Sequence, residues 1–173
     1  MPATTKVGMI NTAIAYKNAK TFWFLVARTQ TAWTNEGSPP AESTDTTSLS
    51  EIGGLQTAQT VSLCYPDSGG SIQFRGQNYT LVSDTNAYNY DSRFLYLSTL
   101  LLFDTFPVVT FRQTGIHVDV VPVSGRENAS ILLPADVSNY GRLIAYINHP
   151  PIYRTVGSKN MLEIVIELVP QVV

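Results

Sequence analysis

Phe22-Trp23-Phe24-Leu25-Val26-Ala27 is apolar at six consecutive positions, with no glycine or proline to interrupt it. Between Thr21 and Arg28 the pattern has period two. Phe22, Phe24 and Val26 project to one side, and Trp23, Leu25 and Ala27 to the other. A strand that is apolar on both faces is expected to be central in its sheet or covered on both sides. Any fold for this chain has to be built around that requirement.

Further period-two runs follow, separated by turn signals. Val61, Leu63 and Tyr65 alternate ahead of Pro66-Asp67-Ser68-Gly69-Gly70. Ile72 and Phe74 lead through Arg75-Gly76-Gln77-Asn78 into Tyr79 and Leu81, a hairpin pattern. Phe94 to Phe103 reads as a long strand with two apolar faces. Val108 to Gln113 and Ile116 to Val121 read as two strands around Gly115, and Arg142 to Asn148 as another. His149-Pro150-Pro151 then reads as a corner that aims the last strand, Met161 to Val169, in which Leu162, Ile164, Ile166 and Leu168 alternate with Glu163, Val165 and Glu167. The helix candidate is Gly8 to Lys20, where Ile10, Ala13, Ile14 and Lys17 keep a 3.6-residue period. The expected class is mainly β, either β-sandwich-like or α+β with one N-terminal helix.

Trp33 to Gln59 interrupts this regularity with a long polar stretch carrying Pro39-Pro40, Gly53-Gly54 and many Ser and Thr. Loops of such length are usually functional or disordered. The expectation is a single β-rich domain over 1–173 with an extended arm or loop at about 34–59, stiffened at its start by the prolines.

Only 14% of the 173 residues are charged, against a typical ~25%, and the net charge is −2. The polar surface is therefore made of Ser, Thr, Asn, Gln and Tyr, which is cheaper to desolvate than one of Lys and Glu and suits burial between subunits. The eleven Lys and Arg are scattered, which argues against nucleic acid as a partner. Cys64 is the one cysteine and sits in an apolar run, so a buried thiol is expected, without an internal disulfide or a zinc–cysteine site. The N-terminus does not read as a secretory signal. The apolar stretch Phe94 to Phe103 is half the length of a membrane span, so no membrane association is expected.

Motifs for chemistry are sparse. Asp67-Ser68-Gly69-Gly70 looks like the nucleophile segment of chymotrypsin-like serine proteases. That family, however, has its base upstream, and here His117 and His149 both lie downstream. The segment also has Pro66 and Ser71 where that family has Gly and Pro, so it reads as a turn. His117 and Asp119, two apart on a presumed strand, make an incomplete first shell for a metal and read as a polar pair on a solvated face. Glu163 and Glu167 lie about 13 Å apart by strand rise, too far for a glycosidase pair. No catalytic residue, metal or cofactor is expected. Tyr88 and Tyr90, among Asn86, Asn89 and Asp91, sit in a presumed loop suited to binding protein or sugar. Arg28 and Trp33, at the start of the arm, are residue types favoured as interface anchors; the alternative is that Trp33 closes the domain's own core and Arg28 pairs with a nearby carboxylate. Arg112 lies on a sheet face opposite Phe111, available to a backbone carbonyl or a neighbouring subunit.

Three stretches together resemble one family. They are Lys20-Thr21-Phe22-Trp23-Phe24 through Arg28-Thr29 to Trp33, Glu36 and Pro39-Pro40; Phe111-Arg112-Gln113-Thr114-Gly115-Ile116 to Pro122; and Gly141-Arg142 through Tyr146, Asn148 and Pro151-Ile152 to the strand Leu162 to Leu168. In this order they resemble the T4-type bacteriophage baseplate wedge proteins known as gene product eight, in a shortened version. The resemblance covers about half of the residues. It implies a β-rich, non-enzymatic virion component of a contractile tail, assembled in the host cytoplasm, that associates with itself and with other baseplate and tail proteins. The candidate interface residues are then Arg28, Trp33, Pro39, Pro40, Tyr88, Tyr90 and Arg112. The alternative is a carbohydrate-binding or adhesion module of the virion using Tyr88 and Tyr90.

Overall fold

The computed structural model describes residues 3–168, and the expected end of the last strand at Val169 lies outside them. The described residues fall into two compact units: 3–20, 59–98 and 163–168 form the first, and 21–58 with 99–162 the second.

The first unit opens with helix α1, Lys6–Ala19, two residues ahead of the expected start. Thr5 explains the shift. Its backbone is extended and its hydroxyl accepts the Gly8 N–H at 3.2 Å, satisfying a donor that the first turn leaves without a partner. Ile10 and Ala13, three apart, are buried, and Lys17 at the basic end pairs with Asp84 at 2.9 Å. The sheet of this unit contains β3 (Thr60–Pro66), β4 (Ile72–Phe74), β5 (Gln77–Val82), β6 (Phe94–Leu101) as far as Ser98 and β12 (Asn160–Glu167) from Glu163 on, in the order β12-β6-β3-β5-β4. The expected hairpin is β4–β5, with Phe74 opposite Gln77. Arg75 and Gly76 both have positive φ (48° and 79°), the mark of a type I′ turn, whose twist matches that of the strands. Cys64 in β3 is fully buried as expected, and burial pushes its thiol pKa up to about 12. Asp67 to Gly70 is the expected turn: the Gly70 N–H donates to Asp67 O, and the Thr80 hydroxyl donates to Asp67 Oδ2.

The second unit is organised around β1, Trp23–Ala27. Its sheet runs β11-β7-β1-β2-β9, so β1 is central, between β7 (Thr110–Val118) and β2 (Gly54–Thr57), and all five of its residues are buried. β9 (Ile131–Leu132) and β11 (Arg142–Tyr153) form the edges, and β8 (Val121–Pro122) pairs with β10 (Val137–Asn139) beside them. Trp23, Leu25 and Ala27 meet Leu49, Leu55 and Leu132 in one core cluster.

Four expectations require correction here. The polar stretch is not loop to its end, because Gly54–Thr57 returns as a strand beside β1. β7 is one strand through Gly115 and not two, since Gly115 pairs with both Leu25 and Tyr146. β11 continues through Pro150 and Pro151, so they are not a corner. β11 is an edge strand whose register shifts between Asn148 and Ile152, and an edge bulge is where proline's missing N–H costs no ladder bond. His117 is only 3% exposed and so does not lie on a solvated face. The strand ends at Val118, and Asp119 has turned to φ 58°.

Candidate interaction surface

The segment 28–53 leaves β1 and returns to β2 as a strap across its own sheet. Its neck is closed by backbone pairs: Arg28 N–H to Ser50 O at 3.0 Å, Thr29 N–H to Glu51 O at 3.3 Å and Gly53 N–H to Val26 O at 2.9 Å. Both flanking residues, Arg28 and Glu51, hold positive φ (53° and 54°), a conformation that non-glycine residues keep only where surrounding contacts fix it. Glu51 supplies such contacts. Its carboxylate accepts the N–H groups of Gln30 and Thr31 at 2.9 and 2.8 Å, and the Thr31 hydroxyl as well. Thr31's hydroxyl first, then those two N–H groups, hold its pKa down at about 2.

Beyond the neck the strap is fastened side chain by side chain. The Arg28 guanidinium lies 3.8 Å from the centroid of the Trp33 ring and donates to Ala32 O. Trp33 is buried and its indole N–H donates to His149 O at 2.9 Å. Arg112 reaches from β7 to hold Glu36 through Nε and Nη2, and the hydrogen bonds from Arg112 hold the Glu36 carboxyl below the ordinary carboxylate range. On β11, the Asn148 N–H donates to Glu42 Oε1 and its side-chain amide to Pro40 O, both at 2.9 Å. The register between β11 and β7 breaks after Asn148, where Pro150 and Pro151 are accommodated, and the strap satisfies two β11 backbone groups at that point, Asn148 N–H and His149 O. Tyr146 Oη accepts the Ser43 N–H at 2.6 Å and lies 3.0 Å from the Thr46 hydroxyl. Leu49 then drops into the core over Gly115, where an added Cβ would stand 2.7 Å from Leu49 Cδ1.

Of the candidate interface residues, Arg28, Trp33 and Arg112 are thus brought together, each engaged inside the unit. Pro39 is half-buried and Pro40 exposed, at the start of an outer run in which Ala41, Ser43, Thr44, Asp45, Thr47 and Ser48 are also exposed. Asp45 is the one fully exposed charge in that run. The anchors missed from sequence are Glu51, Tyr146 and Leu49. The Glu36 to Arg112 pairing was also unseen, because 76 residues separate partners that only the β1–β7 pairing juxtaposes.

Tyr88 and Tyr90 lie in the first unit, around a 3₁₀ turn at Ala87–Asn89. They do not form a shared platform. The Tyr88 hydroxyl donates to Asn11 Oδ1 of α1, whereas the Tyr90 ring stacks on Tyr65 of β3, 4.2 Å between centroids and 10° from parallel.

The groups considered for chemistry have structural partners. His117 Nδ1 donates to Tyr140 O at 2.7 Å, and burial lowers the pKa of its ring. His149 contacts the Thr114 hydroxyl through Nε2 and Pro150 O through Nδ1, and burial lowers its pKa also. Tyr96 Oη donates to Glu163, and Arg93 pairs with Glu167. Among the described residues no three metal-ligating side chains converge, and no helix is long and apolar enough to cross a membrane.

A family of phage proteins described as baseplate wedge 3 tail fiber network component matches residues 1–168. The chain belongs to that family. The expectation of a baseplate wedge protein is therefore borne out, and with it a structural role in the virion, at the tail baseplate. Virion protein 3 of Enterococcus phage phiEF24C is 32% identical over 161 residues, an alignment that covers 90% of this chain and 88% of that protein. Membership of a baseplate family implies contacts with other tail and baseplate proteins, and the β-rich architecture with one N-terminal helix is the fold expected for it from sequence.

Proposed function

We propose that this baseplate component of a contractile tail works by contact geometry alone, without catalysis. The outer run of the strap, residues 38–48, is its principal contact with neighbouring subunits, a second copy of the chain among them. One observation carries this reading. The large anchoring side chains of the strap are consumed internally, which leaves a fixed ridge of small, nearly uncharged polar residues facing outward. Ser, Thr and Ala at fixed positions lose little rotamer entropy and little hydration on burial. A ridge tied down at its neck, at Glu36 and at Tyr146 is already in shape when a partner arrives, so docking does not spend association energy on ordering it. The hydrogen-bonded partners of both histidines, and the turn that holds Ser68, support a non-catalytic role.

The test leaves the anchors in place. Ala41→Arg with Thr44→Glu puts bulky charge on the ridge and spares Glu36, Tyr146 and Leu49. The variant should fold with an unchanged far-ultraviolet spectrum and be excluded from baseplates assembled from the other components. Normal incorporation would remove the ridge from assembly.

A further inference from the structure

A shallow cleft of about 360 Å³ opens on the first unit, away from any residue of the strap in sequence and in unit. Tyr65 and Thr80, opposite each other on β3 and β5, form its base, and Ser83, Asn86, Asn89 and Tyr90 complete the polar wall. The stacked Tyr65 covers one side of the Tyr90 ring, yet Tyr90 remains 46% exposed. Asn86 and Asn89 are both exposed, and neither side-chain amide has a hydrogen bond among the described residues. Thr80 donates its hydroxyl proton to Asp67 Oδ2. Burial, with Tyr90 and Asp67 beside it, raises the Tyr65 pKa above the ordinary phenol value.

The geometry points to a binding site for a neutral saccharide, one or two rings in size, seated against Tyr90 with its hydroxyls on Asn86 and Asn89. Three features select that class. The volume sits at the low end of the ~300–1,000 Å³ of small-molecule sites, which suits a short sugar and not a folded partner. The lining combines an aromatic face, which packs against the C–H face of a pyranose, with free amides that both donate and accept, as a ring of hydroxyls requires. No charged side chain lines the cleft, which disfavours a phosphate, an acidic sugar or a basic peptide, since each would leave its charge without a counterpart. The site differs from a Tyr88–Tyr90 pair, because the Tyr88 hydroxyl is spent on Asn11 and Tyr65 takes its place. It does not depend on the ridge at 38–48, and its test uses the isolated chain without assembly.

The full chain, isotopically labelled, is titrated with neutral mono- and disaccharides of gluco, galacto and N-acetylhexosamine configuration up to about 20 mM, the range in which weak millimolar sites saturate. At least one should give saturable shifts centred on Tyr90, Asn86 and Asn89. Tyr90→Ala should weaken that binding at least tenfold, Asn89→Ala several-fold, and Tyr88→Ala not at all. If Tyr90→Ala does not fold, Asn86→Ala and Asn89→Ala, both at exposed positions, carry the test alone. The proposal is overturned if no sugar saturates, if binding survives the cleft substitutions, if Tyr88→Ala weakens it equally, or if a glucuronide binds more tightly than its neutral parent.

Discussion

Arg112 and Glu36 meet side-on: Nε lies 2.8 and 2.9 Å from the two carboxylate oxygens, and Nη2 lies 2.6 Å from Oε1. Arg112 is 8% exposed and belongs to β7, whereas Glu36 belongs to the strap and keeps a third of its side chain in solvent. The pair therefore ties the strap to the central part of the sheet. Arg112→Met keeps the aliphatic stem and removes the fork, so it should loosen the strap without unfolding the sheet. The expected outcome is faster amide exchange and faster proteolysis within residues 34–48, with the β1 amides unaffected and a fall in melting temperature of only a few degrees. Arg112→Lys should not restore protection, because an ammonium cannot make the two-point contact.

Acid should open the same strap from its neck. The folded-state pKa of Glu51 is about 2, below its ordinary 4.5, so its contribution is fully present above pH 4.5 and is lost as pH falls toward 2. Glu36 acts in the same direction, its folded-state pKa also being lowered. Exchange at the Gln30 and Thr31 amides should accelerate across that window. In Glu51→Gln the acid-dependent acceleration should shrink to the part that Glu36 supplies, and the strap should already be looser at pH 7.

The histidines give a separate window nearer neutrality. Burial lowers the folded-state pKa of His117 and His149, so between those values and 6.5 the unfolded chain binds more protons than the folded one. Stability is then complete above 6.5 and declines as pH falls below it, by about 1.4 kcal/mol for each unit of pKa difference. His117 Nε2 is buried with no hydrogen-bond partner among the described residues, and its Nδ1 donates to Tyr140 O. His117→Asn can keep that donation and cannot titrate. Its melting temperature should fall less between pH 7 and pH 5 than that of the unaltered chain, with His149 supplying the remaining slope.

Much of this architecture was legible in the sequence where one face or one turn dictated it. Phe22 to Ala27 had to be covered on both faces, Arg75-Gly76 had to turn a hairpin, and Leu162 and Ile164 had to point inward, because each rests on period or turn chemistry within a few residues. The strap was legible as an irregular excursion but not as a fastened one. Its anchors join Trp33 to His149, Ser43 to Tyr146 and Glu36 to Arg112, pairs more than 70 residues apart whose meeting depends on sheet order. Gly115 misled for a related reason. A glycine between two apolar runs reads as a turn, and only the strap's return shows that it is instead a strand position kept bare for Leu49. The pairing of Tyr90 with Tyr65 was hidden likewise, since the two residues stand 25 positions apart on different elements.

That bare position yields a coupled pair. Gly115→Ala would place a methyl 2.7 Å from Leu49 Cδ1 and 3.2 Å from Leu143 Cδ1, in a sheet that leaves it little room. Overpacking of this kind costs ~1–3 kcal/mol. Leu49→Ala alone should cost ~2–4 kcal/mol, toward the low end because Leu49 lies at the margin of the core. The double variant should be more stable than the sum of the two losses by at least ~0.5 kcal/mol, measured by urea unfolding. Strict additivity would show that Leu49 does not occupy the space above Gly115.

Arg154 sets the largest single loss. It is 4% exposed, has no carboxylate partner among the described residues, and donates to Pro107 O from Nε, to Leu101 O and Asn160 Oδ1 from Nη1, and to Leu102 O and Phe106 O from Nη2. Burial lowers its pKa, but a guanidinium stays charged regardless, so the charge is held in the unit by carbonyl dipoles and by the Phe106 ring, whose centroid lies 5.4 Å away. The arrangement gathers the 101–107 turn and the end of β11 onto one side chain. Arg154→Met fills similar space and leaves up to five acceptors without a donor, each costing ~1–3 kcal/mol where water cannot enter. Partial hydration of the turn reduces the sum, so a net loss of ~3–5 kcal/mol is expected, a large share of a typical domain's stability. The variant should express poorly, or unfold at markedly lower urea than Arg112→Met. If its unfolding midpoint matched that of Arg112→Met, the carbonyl cluster would have to be satisfied by water and the guanidinium would be dispensable.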